Sequence, residues 1–362
     1  MPRPLYDTAD VERVLPQFVP VEFGERSTAA AGVVVVLEPA GHILGSSIVV
    51  VDVGGRTVVF SGDLGRPHHP LLVPPHVPPA CDALVIESTY GDRRHEPVGL
   101  DALAALIMRT LDRDGTVVIP AFAVDRTEVI LIALRRLTAE GRIPRVPVFV
   151  DSPMALGALQ IYQRALREGD PDVLTDLEPE DLALDPGLLH EVRSPEESRA
   201  LSASERPCII DAASGMATGG RVVHHLRHLL PDRRNSVALV GYQAEGTRGR
   251  ALADGATEVK IHGMYVPVLA EIADVGSFSV HADADELLAW VASGPQPPKA
   301  VCIVHGEPTA SSALAGRLDS ELGLLAVVAR DGEKAALGRA ACGRVGGRTG
   351  GSRLWAPPRG VA

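Results

Sequence analysis

The stretch from Gly41 to Gly65 constrains this chain more than any other. It opens Gly-His-Ile-Leu-Gly-Ser, runs on through Ser-Ile-Val-Val-Val-Asp-Val-Gly-Gly-Arg-Thr-Val-Val-Phe, and closes Ser-Gly-Asp-Leu-Gly. The Val-rich runs on either side of Gly54-Gly55 read as the two strands of a tight hairpin. β-Branched side chains favour extended backbone, and paired glycines supply the positive φ that a two-residue turn requires. A hairpin folds its outer ends together, so His42 and Asp63 are expected to approach one another. Neutral imidazole and carboxylate are ligands for a borderline divalent metal. Each residue also fits an ordinary turn, and the rest of the chain has to decide between the two readings.

A chain of 362 residues has room for two domains with cores of their own. Aromatic content of 4% excludes an extended platform for stacking bases. A formal charge of -11 argues against broad binding of polyanions and leaves room only for a local basic cleft. Cys81, Cys208, Cys302 and Cys342 are widely separated with no CxxC pair; the first three adjoin apolar runs and are expected to be buried thiols of a reducing compartment. No apolar run approaches about 18 residues, and Met1-Pro-Arg-Pro leads into acidic residues. The expectation is a cytoplasmic chain with no membrane segment.

Taken in order, residues 7–15 spell a short helix capped by Asp7 or Thr8, with Val11, Val14 and Leu15 on one face. Residues 33–37 form a strand that delivers the chain to His42. Another strand over 81–86 ends at Glu87, followed by Ser-Thr-Tyr-Gly-Asp-Arg. From Leu100 the pattern becomes helix, strand, helix, strand: helices over 100–111, 126–137 and 154–166 alternate with strands over 116–119 and 146–150, implying a largely parallel sheet covered by helices. Residues 167–189 are acidic and contain proline, a solvated connection by composition. Strands follow over 208–211, 237–240 and 300–304, and beyond Ala341 a Gly/Arg/Pro-rich tail lacks apolar periodicity and is expected to be disordered.

Several of these positions carry two readings. Glu87 at a strand end fits a catalytic rim, or a carboxylate satisfied by nearby backbone amides. His68 and His69, between prolines, read as an exposed loop rather than ligands. Ser214, Gly215 and Met216 belong to a small-residue loop leading into a helix, the physical form of an anion cradle and also of an ordinary turn. His224, His225 and His228 read as a solvent-facing cluster with no carboxylate at ligand spacing. Arg248, near glycines, suits either phosphate contact or neutralisation of surface acids.

Five elements then stand in order: Gly-His42-Ile-Leu-Gly-Ser, Ser-Gly-Asp63-Leu-Gly, Glu87-Ser-Thr-Tyr-Gly-Asp-Arg, Phe-Ser279-Val-His281-Ala-Asp and Val-His305-Gly-Glu. With Pro-Ala-Phe-Ala-Val before Arg126, Asp151-Ser-Pro-Met, Ala213-Ser-Gly-Met and Gly241-Tyr-Gln-Ala-Glu-Gly-Thr, they resemble the beta-CASP branch of the metallo-beta-lactamase superfamily over roughly residues 1–338. The resemblance implies an α/β protein: a metallo-beta-lactamase αββα sandwich, incomplete here, with an inserted beta-CASP α/β domain of largely parallel sheet. The implied division is 1–95 and 276–340 for the metallo-beta-lactamase part, 96–275 for the insertion, and 341–362 for the tail. It further implies a zinc-dependent phosphodiester hydrolase acting on RNA. His42 and His305 would be metal ligands, Asp63 would bridge two zinc ions, Glu87 would support the site, and His281 would contact the phosphate or protonate the leaving oxygen. Ser214, Gly215, Met216, Arg248 and Ser279 are the implied substrate contacts.

One departure counts against a complete centre. Members of the branch carry His-x-His-x-Asp-His ahead of the first motif, and no such string occurs in this sequence. The chain is therefore expected to be the larger part of such a protein, inactive by itself; the associations expected are a homodimer or, separately, a partner chain that supplies the missing segment. The alternatives are a non-catalytic paralogue that binds RNA or a partner and, ranked lower, an ester or thioester metallohydrolase.

Overall fold

The computed structural model describes residues 5–95, 100–178, 183–201 and 207–333. Helix α1 (Thr8–Val14) starts at Asp7, whose carboxylate accepts from Asp10 N–H in a capping box. Its apolar residues Val11, Val14 and Leu15 are solvent-exposed, so α1 buries nothing in this chain. The first strands, β1 (Ser27–Ala30), β2 (Val33–Pro39), β3 (Ser47–Val53) and β4 (Arg56–Phe60), form an antiparallel meander. Gly54 and Gly55 turn the β3–β4 hairpin with φ of 57° and 73°. Strand β5 (Ala83–Ile86) adds to β4 in parallel.

The chain then alternates helices and strands: α2 (Leu100–Leu111), β6 (Thr116–Pro120), α3 (Arg126–Ala139), β7 (Val148–Asp151), α4 (Pro153–Glu168), β8 (Leu189–Glu191), α5 (Pro195–Leu201), β9 (Cys208–Ala212), α6 (Val222–Leu229), β10 (Ser236–Leu239) and α7 (Arg248–Ala253). A small hairpin, β11 (Glu258–Ile261) and β12 (Met264–Pro267), precedes β13 (Glu271–Asp274). Last come α8 (Ala284–Ser293), β14 (Val301–Ile303), α9 (Pro308–Leu322) and β15 (Ala326–Val328).

Two large sheets result. Six strands in the order β13-β10-β6-β9-β7-β8, all parallel, form one of them. Its central strands are buried on both faces: Val117 and Ile119 enter the core beneath α2, α3 and α4, while Val118 points to the core beneath α6. This is why the strand over 116–120 reads as a continuous apolar run rather than an alternating one. The seven-stranded sheet, β1-β2-β3-β4-β5-β14-β15, is assembled from both ends of the chain and becomes parallel from β4 onward. Its Ile48, Val59, Leu84 and Ile303 pack under α8 and α9. The opposite face presents Val49, Val51, Val58, Val85 and exposed Phe60, half-buried and apolar. It is one helix-backed sheet of the expected sandwich.

Three sequence expectations are corrected here. The acidic connection after α4 is not simply solvated: Asp172, Val173 and Leu184 are buried, and Asp172 Oδ2 accepts Gly45 N–H at 2.7 Å. His69 and His225 are buried rather than exposed, because each finds a carboxylate from a distant element: His69 Nε2 lies 2.9 Å from Asp125 Oδ2, and His225 Nε2 2.6 Å from Asp151 Oδ2. Cys208 is buried, but Cys81 and Cys302 are only half-buried. The Gly/Arg/Pro tail and Cys342 lie outside the described residues.

Candidate metal centre and cleft

Strands β2, β4, β5 and β14 all run in the same direction, so their carboxyl ends share one edge of the seven-stranded sheet. His42, Asp63, Glu87 and His305 each lie one to three positions beyond such an end. Open α/β sheets place ligands at that edge. Backbone bonds then stitch the loops together. Gly65 N–H donates to Ala40 O at 2.8 Å, Ala282 N–H to Leu64 O at 2.8 Å, and Arg66 N–H to Val280 O at 3.1 Å, drawing the His281 segment onto the Asp63 loop. At Gly65 the contact with the Gly41 carbonyl leaves no room for a Cβ.

The donors converge. Among the described residues, His42, Asp63 and His281 form a set whose potential ligand atoms all lie within 4.8 Å of one another. His305 Nδ1 lies 3.1 Å from Asp63 Oδ1, and His42 Nε2 3.9 Å from Asp63 Oδ2. The His42 and His281 rings stand 4.2 Å apart. Burial, then the neighbouring His281, pushes His42 down to about 3, so its imidazole is neutral at pH 7 and ready to ligate. Its Nδ1 is buried with no hydrogen-bond partner. His42 turns its other nitrogen, Nε2, toward Asp63, and a neutral imidazole, a carboxylate and a second imidazole within 4.8 Å of one another fit a divalent metal such as zinc, which takes three protein ligands in open catalytic sites. Among the described donors His42 and Asp63 supply two of these, and His281 and His305 are the candidates for the third. Four donors in all do not make two such sets.

Glu87 organises the set. Its carboxylate is 1% exposed, accepts Leu64 N–H at 2.6 Å and Thr89 N–H at 3.2 Å, and lies 3.3 Å from His281 Nδ1. Burial pushes this acid upward, but the His281 hydrogen bond and charge together with the amides hold it below the usual range. Backbone amides thus satisfy Glu87, the second of its two sequence readings, and the same carboxylate bonds His281.

The loop bearing His42 is clamped from the other sheet. Ser46 Oγ accepts N–H from His42 and Ile43 at 3.1 and 3.2 Å. Leu44 N–H donates to Tyr162 Oη at 2.9 Å, and Tyr162 donates to Asp125 Oδ1 at 2.7 Å. His69 Nδ1 accepts N–H from Leu71 and Leu72, which puts its proton on Nε2 for Asp125. None of this clamp is visible in local sequence patterns; Tyr162 lies 118 residues from Leu44.

A cleft of about 590 Å³ opens over the donors, lined by His42, Asp63, His281 and His305 from one side and by Phe122, Arg126, Met154 and Met216 from the other. Met216 of the small-residue loop thus reaches the cleft. The carbonyls of that loop are already engaged: Gly215 O accepts Gln243 Nε2, Met216 O accepts Gly249 N–H, and Ala217 O accepts Arg248. Ser214 Oγ lies 3.2 Å from Thr218 Oγ1. Arg248 also donates to Lys260 O and borders a separate groove, and Ser279 is buried against another cavity beside His69, so the structure brings neither to the cleft. Sequence reasoning assigned no role to Arg126, Tyr162, Asp125 or Thr89, which lies 3.4 Å from His305 Nδ1.

Residues 127–252 match the Beta-Casp domain, and residues 265–329 the Zn-dependent metallo-hydrolase RNA specificity domain. The chain is 38% identical over 335 residues to a ribonuclease of Thermus thermophilus, covering 92% of this chain and 76% of that protein. It is 30% identical over 307 residues to an RNase J-like protein of Methanocaldococcus jannaschii, covering 83% of this chain and 70% of that one. Transcription termination factor FttA of Pyrococcus abyssi is 32% identical over 339 residues, 89% of this chain and 51% of that protein, so the chain spans about half the length of this relative. Among the described residues no helix is long and apolar enough to cross a membrane. The chain belongs to the beta-CASP branch of the metallo-beta-lactamase superfamily.

Proposed function

We propose that this chain is a zinc-dependent phosphodiester hydrolase acting on RNA. The observation that carries the reading is the convergence of His42, Asp63, His281 and His305 at one sheet edge, beneath a cleft walled by the second sheet. His42 and Asp63 would hold the metal with His305, which reaches the other oxygen of Asp63, as the third ligand, leaving His281 for the proton. Zinc at this position supplies Lewis-acid polarisation of a phosphoryl oxygen and a lowered pKa for an attacking water. His281, with Nδ1 fixed by Glu87, offers Nε2 to the cleft and delivers the proton to the leaving oxygen. The apolar side chains Phe122, Val124, Met154 and Met216 exclude water around the scissile bond.

The test pairs zinc content with cleavage of an end-labelled single-stranded RNA, using His281→Ala and Asp63→Asn. The proposal requires His281→Ala to keep its zinc while cleavage falls roughly 10²- to 10⁴-fold, and Asp63→Asn to lose both. Loss of zinc in His281→Ala would make His281 a ligand instead. A second reading is favoured by the donor count, which completes one metal set and not two: a non-catalytic chain that binds RNA or a partner through the same cleft. Under that reading the protein binds zinc and RNA, with cleavage no higher than in Asp63→Asn. The apolar, half-buried sheet face around Phe60 adds support for association with a second copy or a partner.

A further inference from the structure

Arg126 opens α3 and lines the cleft together with His42, Asp63 and His281. It is 4% exposed, yet its Nε and Nη1 have no hydrogen-bond partner. The adjacent Asp125 attracts it electrostatically, but both oxygens of that carboxylate are taken up by Tyr162 and His69. Burial pulls the guanidinium below the usual arginine range, with Asp125 and Tyr90 opposing. A desolvated cation without hydrogen-bonded oxygens is costly to keep and is relieved by an anion. Gly241 packs beside the guanidinium: a Cβ there would stand 3.6 Å from Nε. The amino end of α3 adds its own partial positive charge. Among the described residues lining the cleft, Arg126 is the one Arg or Lys, in a protein whose net charge of -11 repels polyanions elsewhere.

We propose that Arg126 is a phosphate seat, holding a phosphodiester of the bound strand next to the one presented to the metal donors. The identity of the strand rests on the RNA reading above; the anion seat rests on the cleft alone. Guanidinium donors match the non-bridging oxygens of a phosphodiester in geometry and charge. The apolar neighbours Phe122, Met154 and Val280 leave that charge undiluted by water.

The experiment measures binding of a fluorescein-labelled single-stranded oligoribonucleotide to the purified full chain across a salt series, with oligonucleotide integrity checked on a gel. Arg126→Met and Arg126→Lys are compared with wild type. Arg126→Met is expected to bind about tenfold or more weaker, with the slope of log affinity against log salt reduced by about 0.7. Arg126→Lys is expected to recover the slope and part of the affinity. The melting temperature and zinc content of Arg126→Met should equal or exceed those of wild type, because an unpaired buried charge has been replaced by an apolar chain. Wild-type slope and affinity in Arg126→Met would overturn the proposal, as would a lowered melting temperature, which would make Arg126 structural. If wild type does not bind the oligoribonucleotide, the RNA reading fails and inorganic phosphate decides the seat. Phosphate raising the melting temperature of wild type but not of Arg126→Met supports it; an equal response, or none, overturns it.

Discussion

Tyr162→Phe probes the clamp between the two sheets with the loss of a single oxygen. Tyr162 is 2% exposed, and burial together with Asp125 pushes its phenol well above the usual range, so it stays a donor at every working pH. Without the hydroxyl, Leu44 N–H loses its acceptor and the buried Asp125 carboxylate loses one of its two side-chain donors. Each buried polar group left unmatched costs about 1–3 kcal/mol, and the charged one lies at the upper end. The expected destabilisation is about 2–5 kcal/mol, or a fall in Tm of roughly 3–7 °C for a chain of this size. Leu44 is two positions from His42, so zinc affinity should fall by about tenfold or more as the ligand loop loosens. Urea denaturation of the metal-free protein gives the first number and competition with a zinc chelator the second. Tyr265→Phe, at an exposed hydroxyl, is the matched control. A Tyr162→Phe protein within about 0.5 kcal/mol of wild type, with unchanged zinc affinity, would refute the clamp.

Three further outcomes follow from the packing. Burial, then Asp125, pushes Glu128 up to about 8, and burial pushes Asp211 up to about 7; the folded state therefore holds protons that the unfolded chain releases, and their contribution to stability, full below the unfolded values of 4.5 and 3.8, is lost as pH rises through 7 and 8. Urea midpoints across that range should fall with pH, and Glu128→Gln should flatten the fall; a profile that Glu128→Gln leaves untouched counts against this. Gly65→Ala drives a methyl into the Gly41 carbonyl and should cost more than about 3 kcal/mol or abolish soluble expression, whereas Gly316→Ala in α9, where a Cβ meets nothing, should gain up to about 1 kcal/mol. Light scattering should show concentration-dependent association through the apolar sheet face, weakened by Phe60→Lys; a strictly monomeric wild type at all concentrations would argue the reverse.

Much of the parallel architecture was legible because the buried strands over 116–120 and 208–212 carry the continuous apolar runs Val117–Ile119 and Cys208–Ile210, and amphipathic helices lie between them. His42, Asp63, Glu87 and His305 were legible for a related reason: each is an ionisable residue just beyond an apolar strand, and parallel pairing puts those ends on one edge. His281 had no such signal, since it sits after a 3-10 turn (Gly276–Phe278) and reaches the site through backbone pairing with Gly65; resemblance to the family supplied it. His69 and His225 were misread because their carboxylates lie 56 and 74 residues away, beyond any spacing rule. Asp172 looked like one acid of a solvated run, and only its bond to Gly45 N–H shows otherwise. Arg126 looked like a helix-start residue; its missing hydrogen-bond partners belong to three-dimensional packing.

Zinc stoichiometry by elemental analysis of the purified, monodisperse chain, alongside Asp63→Asn and His305→Ala, tests the metal centre most directly. About one tightly held zinc per chain is expected, abolished by Asp63→Asn and weakened by His305→Ala, because Asp63 is the donor that His42 and His305 both approach. No zinc in the wild type, or zinc that Asp63→Asn leaves in place, would contradict it.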